Sequence, residues 1–185
     1  MLVLNFTPFP ELKTPRLLLR KLEKTDANEM FFLRSNENVL RYLGKEPAKT
    51  IAEVEEFISK INKAADENES ILWGITFLND PSLVIGTICI WNFKRENYRG
   101  EIGYMLHPDH WRKGIMKEAI NAVVDYGFTV LNLHSIEALL DPKNIASSSV
   151  LESTGFIKEG HIKECIYFNG EFRDEAIYSR LKKAN

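Results

Sequence analysis

Hydrophobic and polar positions change period several times along the chain, and each change marks an element. Residues 16–22, Arg-Leu-Leu-Leu-Arg-Lys-Leu, read as a first strand. Asp26 with Glu29 has the spacing of a helix-capping box, and Met30, Phe31 and Leu33 continue as a helix. Asn38 to Leu43 predicts a further helical turn that stops at Gly44. Thr50 with Glu53 is a second capping box. Ile51, Val54, Phe57, Ile58 and Ile61 then recur at helical spacing, so 51–66 is expected to be an amphipathic helix. At Ile71 the period drops to two: Ile71, Trp73, Ile75 and Phe77 alternate as a strand, and Asn79-Asp-Pro-Ser82 makes a turn.

Residues 83–93 and 100–107 predict two more strands, giving an antiparallel meander. After Gly114, the positions Ile115, Ala119, Ile120, Val123, Val124 and Phe128 share one helical face. Residues 134–140 read as a strand and 145–154 as a short helix, with Gly155 where a left-handed cap belongs. Ile166 to Phe172 forms a hairpin, because Asn169-Gly170 suits a type I′ turn. The order predicts an α/β (α+β) fold with a β-α-β crossover around 101–140.

Bulk properties narrow the function. At 185 residues the chain is expected to form a single domain over 1–185 with a sizeable core. A net charge of −2 argues against a nucleic-acid partner. The apolar stretches fall short of the roughly 20 residues that a membrane span needs. Met1 to Pro10 is apolar, but it has no basic leader and is broken by Pro8 and Pro10, so it does not read as a signal peptide. Cys89 and Cys165 lie in strand-like text and read as reduced core or half-buried residues, which fits a cytoplasmic location.

Candidate chemistry concentrates in Glu101-Ile-Gly-Tyr-Met-Leu-His-Pro-Asp-His-Trp-Arg-Lys-Gly-Ile-Met-Lys-Glu-Ala119. This is a strand, a basic loop with Gly114, then a helix. Such a junction aims free backbone N–H groups and a helix N-terminus at one point, which suits a phosphate. Asn144-Ile-Ala-Ser147 follows thirty residues on, and then Gly155-Phe156. By itself the junction could equally be an ordinary strand-to-helix turn with solvated basic residues.

Taken together, these pieces resemble the GNAT superfamily of acetyl-CoA-dependent N-acetyltransferases. The resemblance is closest to its ribosomal-protein N-terminal (alanine/serine) acetyltransferase branch. It runs from Thr14-Pro-Arg-Leu-Leu-Leu-Arg20 to Arg173-Asp174-Glu-Ala-Ile-Tyr178 and rests on five motifs in order: Glu101 to Tyr104, His107 to Gly114, Glu118-Ala119, Asn144 to Ser147, and Gly155-Phe156. It implies a mixed, mostly antiparallel sheet of about six or seven strands, with helices on both faces and splayed central strands. It also implies acetyl-CoA as co-substrate and no metal. Coenzyme A pyrophosphate would lie on the backbone of Arg112, Lys113, Gly114, Ile115, Met116 and Lys117. The pantetheine arm would pair with Tyr104, Met105 and Leu106 and meet Asn144. Two positions depart from the family pattern: Trp111 replaces Gln or Arg, and Met116 a small residue.

For catalysis the resemblance points to Glu101 as base, at the start of the strand beside the cofactor. The alternative is an exposed charge at a strand start. At pH 7, holding an amine neutral costs roughly 1 kcal/mol for an α-amine and roughly 4.6 kcal/mol for a lysine-like one, so the need for a base depends on the acceptor. Many members carry a tyrosine seven residues after the asparagine, where this chain has Leu151, so Ser147 becomes the candidate donor to the departing thiolate. His107 reads as structural and His110 as surface. His134 and His161 have no supporting motif. Asn144 is a helix cap, a pantetheine ligand, or both.

The acceptor is expected to be a primary amine, foremost a protein N-terminus, entering between segments 31–45 and 163–174. Phe31, Phe32, Tyr42, Trp91, Tyr167 and Phe172 stand near these walls, and most of them are expected in the core. The alternatives are a small amine (polyamine, amino acid or antibiotic) and a non-catalytic coenzyme A sensor. A dinucleotide oxidoreductase fits badly, because the chain has no G-x-G-x-x-G. The chain is expected to be a monomer or homodimer.

Overall fold

The computed structural model describes residues 1–183. Its strands are β1 (Leu12–Lys13), β2 (Leu17–Arg20), β3 (Ile71–Phe77), β4 (Gly86–Lys94), β5 (Arg99–Leu106), β6 (Ser135–Leu140), β7 (Ile157–Phe168) and β8 (Glu171–Leu181). The helices are α1 (Ala27–Ser35), α2 (Glu37–Leu40), α3 (Ile51–Asp66), α4 (Ile115–Thr129) and α5 (Ile145–Ser153). All eight strands join one sheet in the order β1-β2-β3-β4-β5-β6-β8-β7. That is one strand above the expected range. The extra strand is β1, whose two residues are too short to show a period.

Among the described residues only β5 and β6 run parallel, joined by the right-length crossover through α4. Their pairing covers Arg99↔Ser135, Gly100↔Ile136 and Glu101↔Glu137, then stops. Beyond Glu101 the two strands diverge, and β5 continues to Leu106 with its β6 side unpaired. The splay therefore opens at Ile102. An ionic cluster holds the paired end shut: Lys94 Nζ and Arg99 Nε donate to Glu137 at 2.9 and 3.0 Å.

Helices cover both faces. On one face, Ile115, Ala119, Ile120, Val123 and Val124 of α4 pack with Trp73, Ile88, Ile90 and Ile102 of the sheet. Burying each such side chain contributes about 1.5–3 kcal/mol, so this interface anchors the loop that precedes α4. On the other face, Met30 and Leu33 of α1 and Val54 and Ile58 of α3 form a second cluster with Leu22 and Val84. The N-terminal segment also packs: Leu2, Leu4 and Phe6 are buried while Met1 and Val3 stay exposed. Among the described residues, no helix is long and apolar enough to cross a membrane.

Two capping expectations shift. Thr50 Oγ1 does accept from Glu53 N–H at 3.2 Å, but the Glu53 carboxylate reaches Lys49 N–H rather than closing the box. Asp26 does not cap α1. Its carboxylate accepts from both Nη atoms of Arg20 at 2.7 and 2.8 Å and from Glu23 N–H at 2.7 Å. The carboxylate is thus committed to the half-buried Arg20 guanidinium and to the turn ahead of α1. The Asn169-Gly170 turn does form, with φ of 50° and 84°, but the strands it joins are far longer than 166–172. Cys89 is half-buried, whereas Cys165 is exposed on the irregular edge strand β7.

Candidate active site

Helix α4 begins at Ile115 behind Gly114, which has φ of 74°, and no side chain caps it. Helices α2, α3 and α5 are capped by Asn36, Thr50 and Asn144. The first N–H of α4 with a main-chain acceptor belongs to Glu118, which donates to Gly114 O at 3.1 Å. The N–H groups of Gly114, Ile115, Met116 and Lys117 precede it at the open end of the helix dipole. Arg112 also adopts a left-handed conformation, with φ of 60°. That conformation costs a non-glycine residue about 1–2 kcal/mol. Left-handed Arg112 and Gly114 thus bracket Lys113. The Met116 side chain turns into the core.

The strand end next to the loop is also prepared. His107 N–H donates to Ile85 O, just ahead of β4, at 2.8 Å. By alternation the main-chain groups of Tyr104 and Leu106 point the other way, into the gap, while those of Met105 face β4. Trp111 Nε1 donates to Leu106 O at 2.8 Å, tying the loop back onto the strand. Sequence reading had only marked Trp111 as a departure from pattern.

Across the gap, Asn144 Oδ1 accepts from Ser147 N–H at 3.1 Å, so Asn144 does cap α5. Its amide NH₂ is not used in that bond. Ser147 Oγ lies 2.7 Å from Tyr104 Oη. Burial pushes the Tyr104 hydroxyl up to about 12, with the serine bond offsetting part of the rise. The tyrosine therefore stays protonated. Leu151 is fully buried in the core, so its position offers no proton donor.

Glu101 is not an exposed charge: it is 7% exposed. Asn92, left-handed at φ 48°, donates Nδ2 to Glu101 Oε2 at 3.1 Å. Burial raises the Glu101 pKa; the Asn92 bond opposes this, and Glu137 and Glu175 add to the rise. Glu175, which sequence reading did not single out, is raised in the same way by burial and by Glu137. The pairings Glu101↔Glu137 and Glu137↔Ser179 place these residues on one face, and Glu175 precedes Ser179 by an even number of steps. Glu137 has two cationic partners, while the side-chain bond to Glu101 comes from a neutral amide.

The aromatic walls are more open than expected. Trp91 is 47% exposed, Phe32 is 37%, and Tyr167 and Phe172 are each 65%. Phe32 stacks on His107 at 4.3 Å between ring centroids. His107 Nδ1 accepts from Asp109 N–H at 3.2 Å, a structural use. His110 is half-buried rather than fully at the surface. It packs edge-on against Phe77 at 5.5 Å, and its Nδ1 is buried. His161 Nε2 sits 2.7 Å from Asp174, on the outer hairpin.

The structure thus combines an uncapped helix start, an unpaired strand edge and a buried carboxylate. Residues 16–157 match the acetyltransferase (GNAT) domain, and the chain belongs to that family. It is an N-acetyltransferase. It is 38% identical over 174 residues to the N-acetyltransferase YoaA of Bacillus subtilis, covering 94% of this chain and 98% of that one. Among solved structures it is similar to a spermidine N-acetyltransferase from Vibrio cholerae in complex with coenzyme A and spermine. There the TM-score is 0.79 at 28% identity, over 91% of this chain and 96% of that one. It is also similar to a ribosomal-protein-S5-alanine acetyltransferase from Vibrio fischeri, with a TM-score of 0.80 at 26% identity over 93% and 96% of the two chains.

Proposed function

We propose that this enzyme transfers the acetyl group of acetyl-CoA to a protein N-terminal α-amine, by direct attack in a ternary complex. The observation that carries this reading is the placement of Glu101 at the head of the gap. Glu101 and Leu106 lie five steps apart on an extended strand, about 17 Å. A pantetheine arm spans that length. Diphosphate at Arg112 to Lys117 therefore puts the thioester beside the carboxylate. The free N–H groups of Tyr104 and Leu106 supply the edge along which the arm pairs, with Asn144 facing it.

In the reaction, Glu101 accepts a proton from the incoming ammonium, directly or through water. The neutral amine attacks the carbonyl carbon, and the C–S bond breaks. Ser147, hydrogen-bonded to Tyr104, donates its proton to the departing thiolate and is reprotonated by the second proton that the acylated nitrogen releases, directly or through water. The raised pKa of Glu101 brings it closer to the pH at which it works, as a general base requires. An α-amine costs roughly 1 kcal/mol to deprotonate at pH 7, which a single partly tuned carboxylate can supply. The open, aromatic surround of Trp91 and Phe32 suits a chain end better than an enclosed small amine.

A polyamine acceptor is the second reading. It is favoured by Glu175, which adds a second carboxylate on the face that carries Glu101. Initial rates of thiol release with Ala- and Ser-starting peptides and with spermidine separate the two. The first reading expects the peptides to have the higher kcat/KM.

The role of Glu101 is tested by Glu101→Gln. Since Glu101 acts as carboxylate, the wild-type rate falls at low pH as Glu101 takes up a proton. The variant loses that acidic limb. Its rate is depressed most below the amine pKa and approaches wild type once the amine is neutral in solution. An unchanged pH–rate profile removes Glu101 from the base role.

A further inference from the structure

The strained loop before α4 is held from outside by Arg16, a residue on the approach to β2. Arg16 Nη1 donates to Lys113 O at 3.1 Å, and Arg16 Nε donates to Glu118 Oε2 at 2.7 Å. Glu118 Oε1 accepts from Arg16 N–H at 3.0 Å and from Thr14 Oγ1 at 2.6 Å. Burial alone raises the Glu118 pKa, but these bonds outweigh it and hold the group below the usual carboxylate range. The guanidinium is thus fixed on one side by a charged partner and grips the loop with the other. A β-carbon built on Gly114 would stand 3.6 Å from Arg16 Nη2, so the guanidinium covers the back of the turn.

The geometry has a specific consequence. Lys113 C=O and Gly114 N–H belong to one trans peptide, so they point in opposite directions. Holding the carbonyl toward Arg16 turns the Gly114 N–H away from it, toward the proposed diphosphate site. The same grip opposes relaxation of left-handed Arg112, which precedes the held carbonyl. We infer that Arg16 is a positioning residue for the donor: through Lys113 O it sets the peptide plane that presents Gly114 N–H to the diphosphate. It also neutralises Glu118, whose carboxylate in the first turn of α4 otherwise repels that anion. This inference rests on the reading that the loop binds the diphosphate of acetyl-CoA.

The experiment compares acetyl-CoA with S-acetyl-pantetheine, which lacks the diphosphate, on wild type, Arg16→Gln and Arg16→Lys. One charge-assisted hydrogen bond lost predicts that Arg16→Gln raises KM for acetyl-CoA about tenfold. Its kcat and its KM for S-acetyl-pantetheine are expected to stay near wild type. Arg16→Lys keeps the charge but cannot hold both partners, so it recovers part of the affinity. Backbone ¹⁵N relaxation on the ligand-free proteins gives the reading that a direct phosphate contact does not move. The Gly114 amide is expected to lose order in Arg16→Gln. An unchanged KM for acetyl-CoA, or a raised KM with the Gly114 amide as ordered as in wild type, overturns the positioning role. Equal wild-type KM for the two donors instead overturns the diphosphate site, and the role of Arg16 with it.

Discussion

Ser147 Oγ and Tyr104 Oη lie 2.7 Å apart, while the buried Leu151 on the same helix offers no hydroxyl. The pair joins a hydroxyl from α5 to one from β5. Tyr104 stays protonated, so it can donate to Ser147 in the proposed proton transfer to the thiolate. Ser147→Ala is predicted to lower kcat about tenfold. That is less than the roughly 10²–10⁴-fold typical of acid–base catalysis, because a thiolate leaves readily. Tyr104→Phe is predicted to lower kcat by less than Ser147→Ala, with KM for acetyl-CoA little changed. Stopped-flow thiol release checks both, and an unaffected Ser147→Ala removes the serine from the mechanism.

At the scale of elements, the site exists because β5 and β6 pair for a few residues and then part. The ion cluster of Lys94, Arg99 and Glu137 fixes where they part. Burial pushes the Glu137 pKa up, but hydrogen bonds from Lys94 and Arg99 outweigh it and leave the carboxylate below its usual range. A depressed carboxylate stabilises the fold above its unfolded pKa of about 4.3 and loses that contribution as pH falls through the folded value. Arg99→Met is therefore predicted to cost about 2 kcal/mol at pH 7, since it leaves a nearly buried charge one partner short. The difference from wild type should shrink as pH drops below 4.3. Urea unfolding at pH 7 and pH 3.5 measures it; an equal difference at both values contradicts the assignment.

Over the whole molecule, the meander and the crossover were legible because each element carries its own period: two at Ile71 to Phe77, 3.6 at Ile51 to Asp66. The strand-loop-helix junction was legible because Gly114 and the basic residues around it are contiguous. Long-range pairings were not. Arg16 meets Glu118 from a separate strand, and nothing local to Thr14-Pro-Arg16 signals that contact. Glu175 joined the carboxylate face only once strand register was known, since a shift of one residue turns it to the other side. Asp26 misled because its spacing to Glu29 is right, yet the half-buried Arg20 claims its carboxylate.

The account as a whole rests on the main-chain amides of Arg112 to Lys117 holding the donor's diphosphate. A crystal structure of the enzyme with coenzyme A tests this most directly. The predicted result is diphosphate oxygens within hydrogen-bond distance of the Gly114 amide and its neighbours, the pantetheine arm against Tyr104 and Leu106, and sulfur between Glu101 and Ser147. Coenzyme A bound elsewhere, with the loop amides facing away from it, contradicts the account.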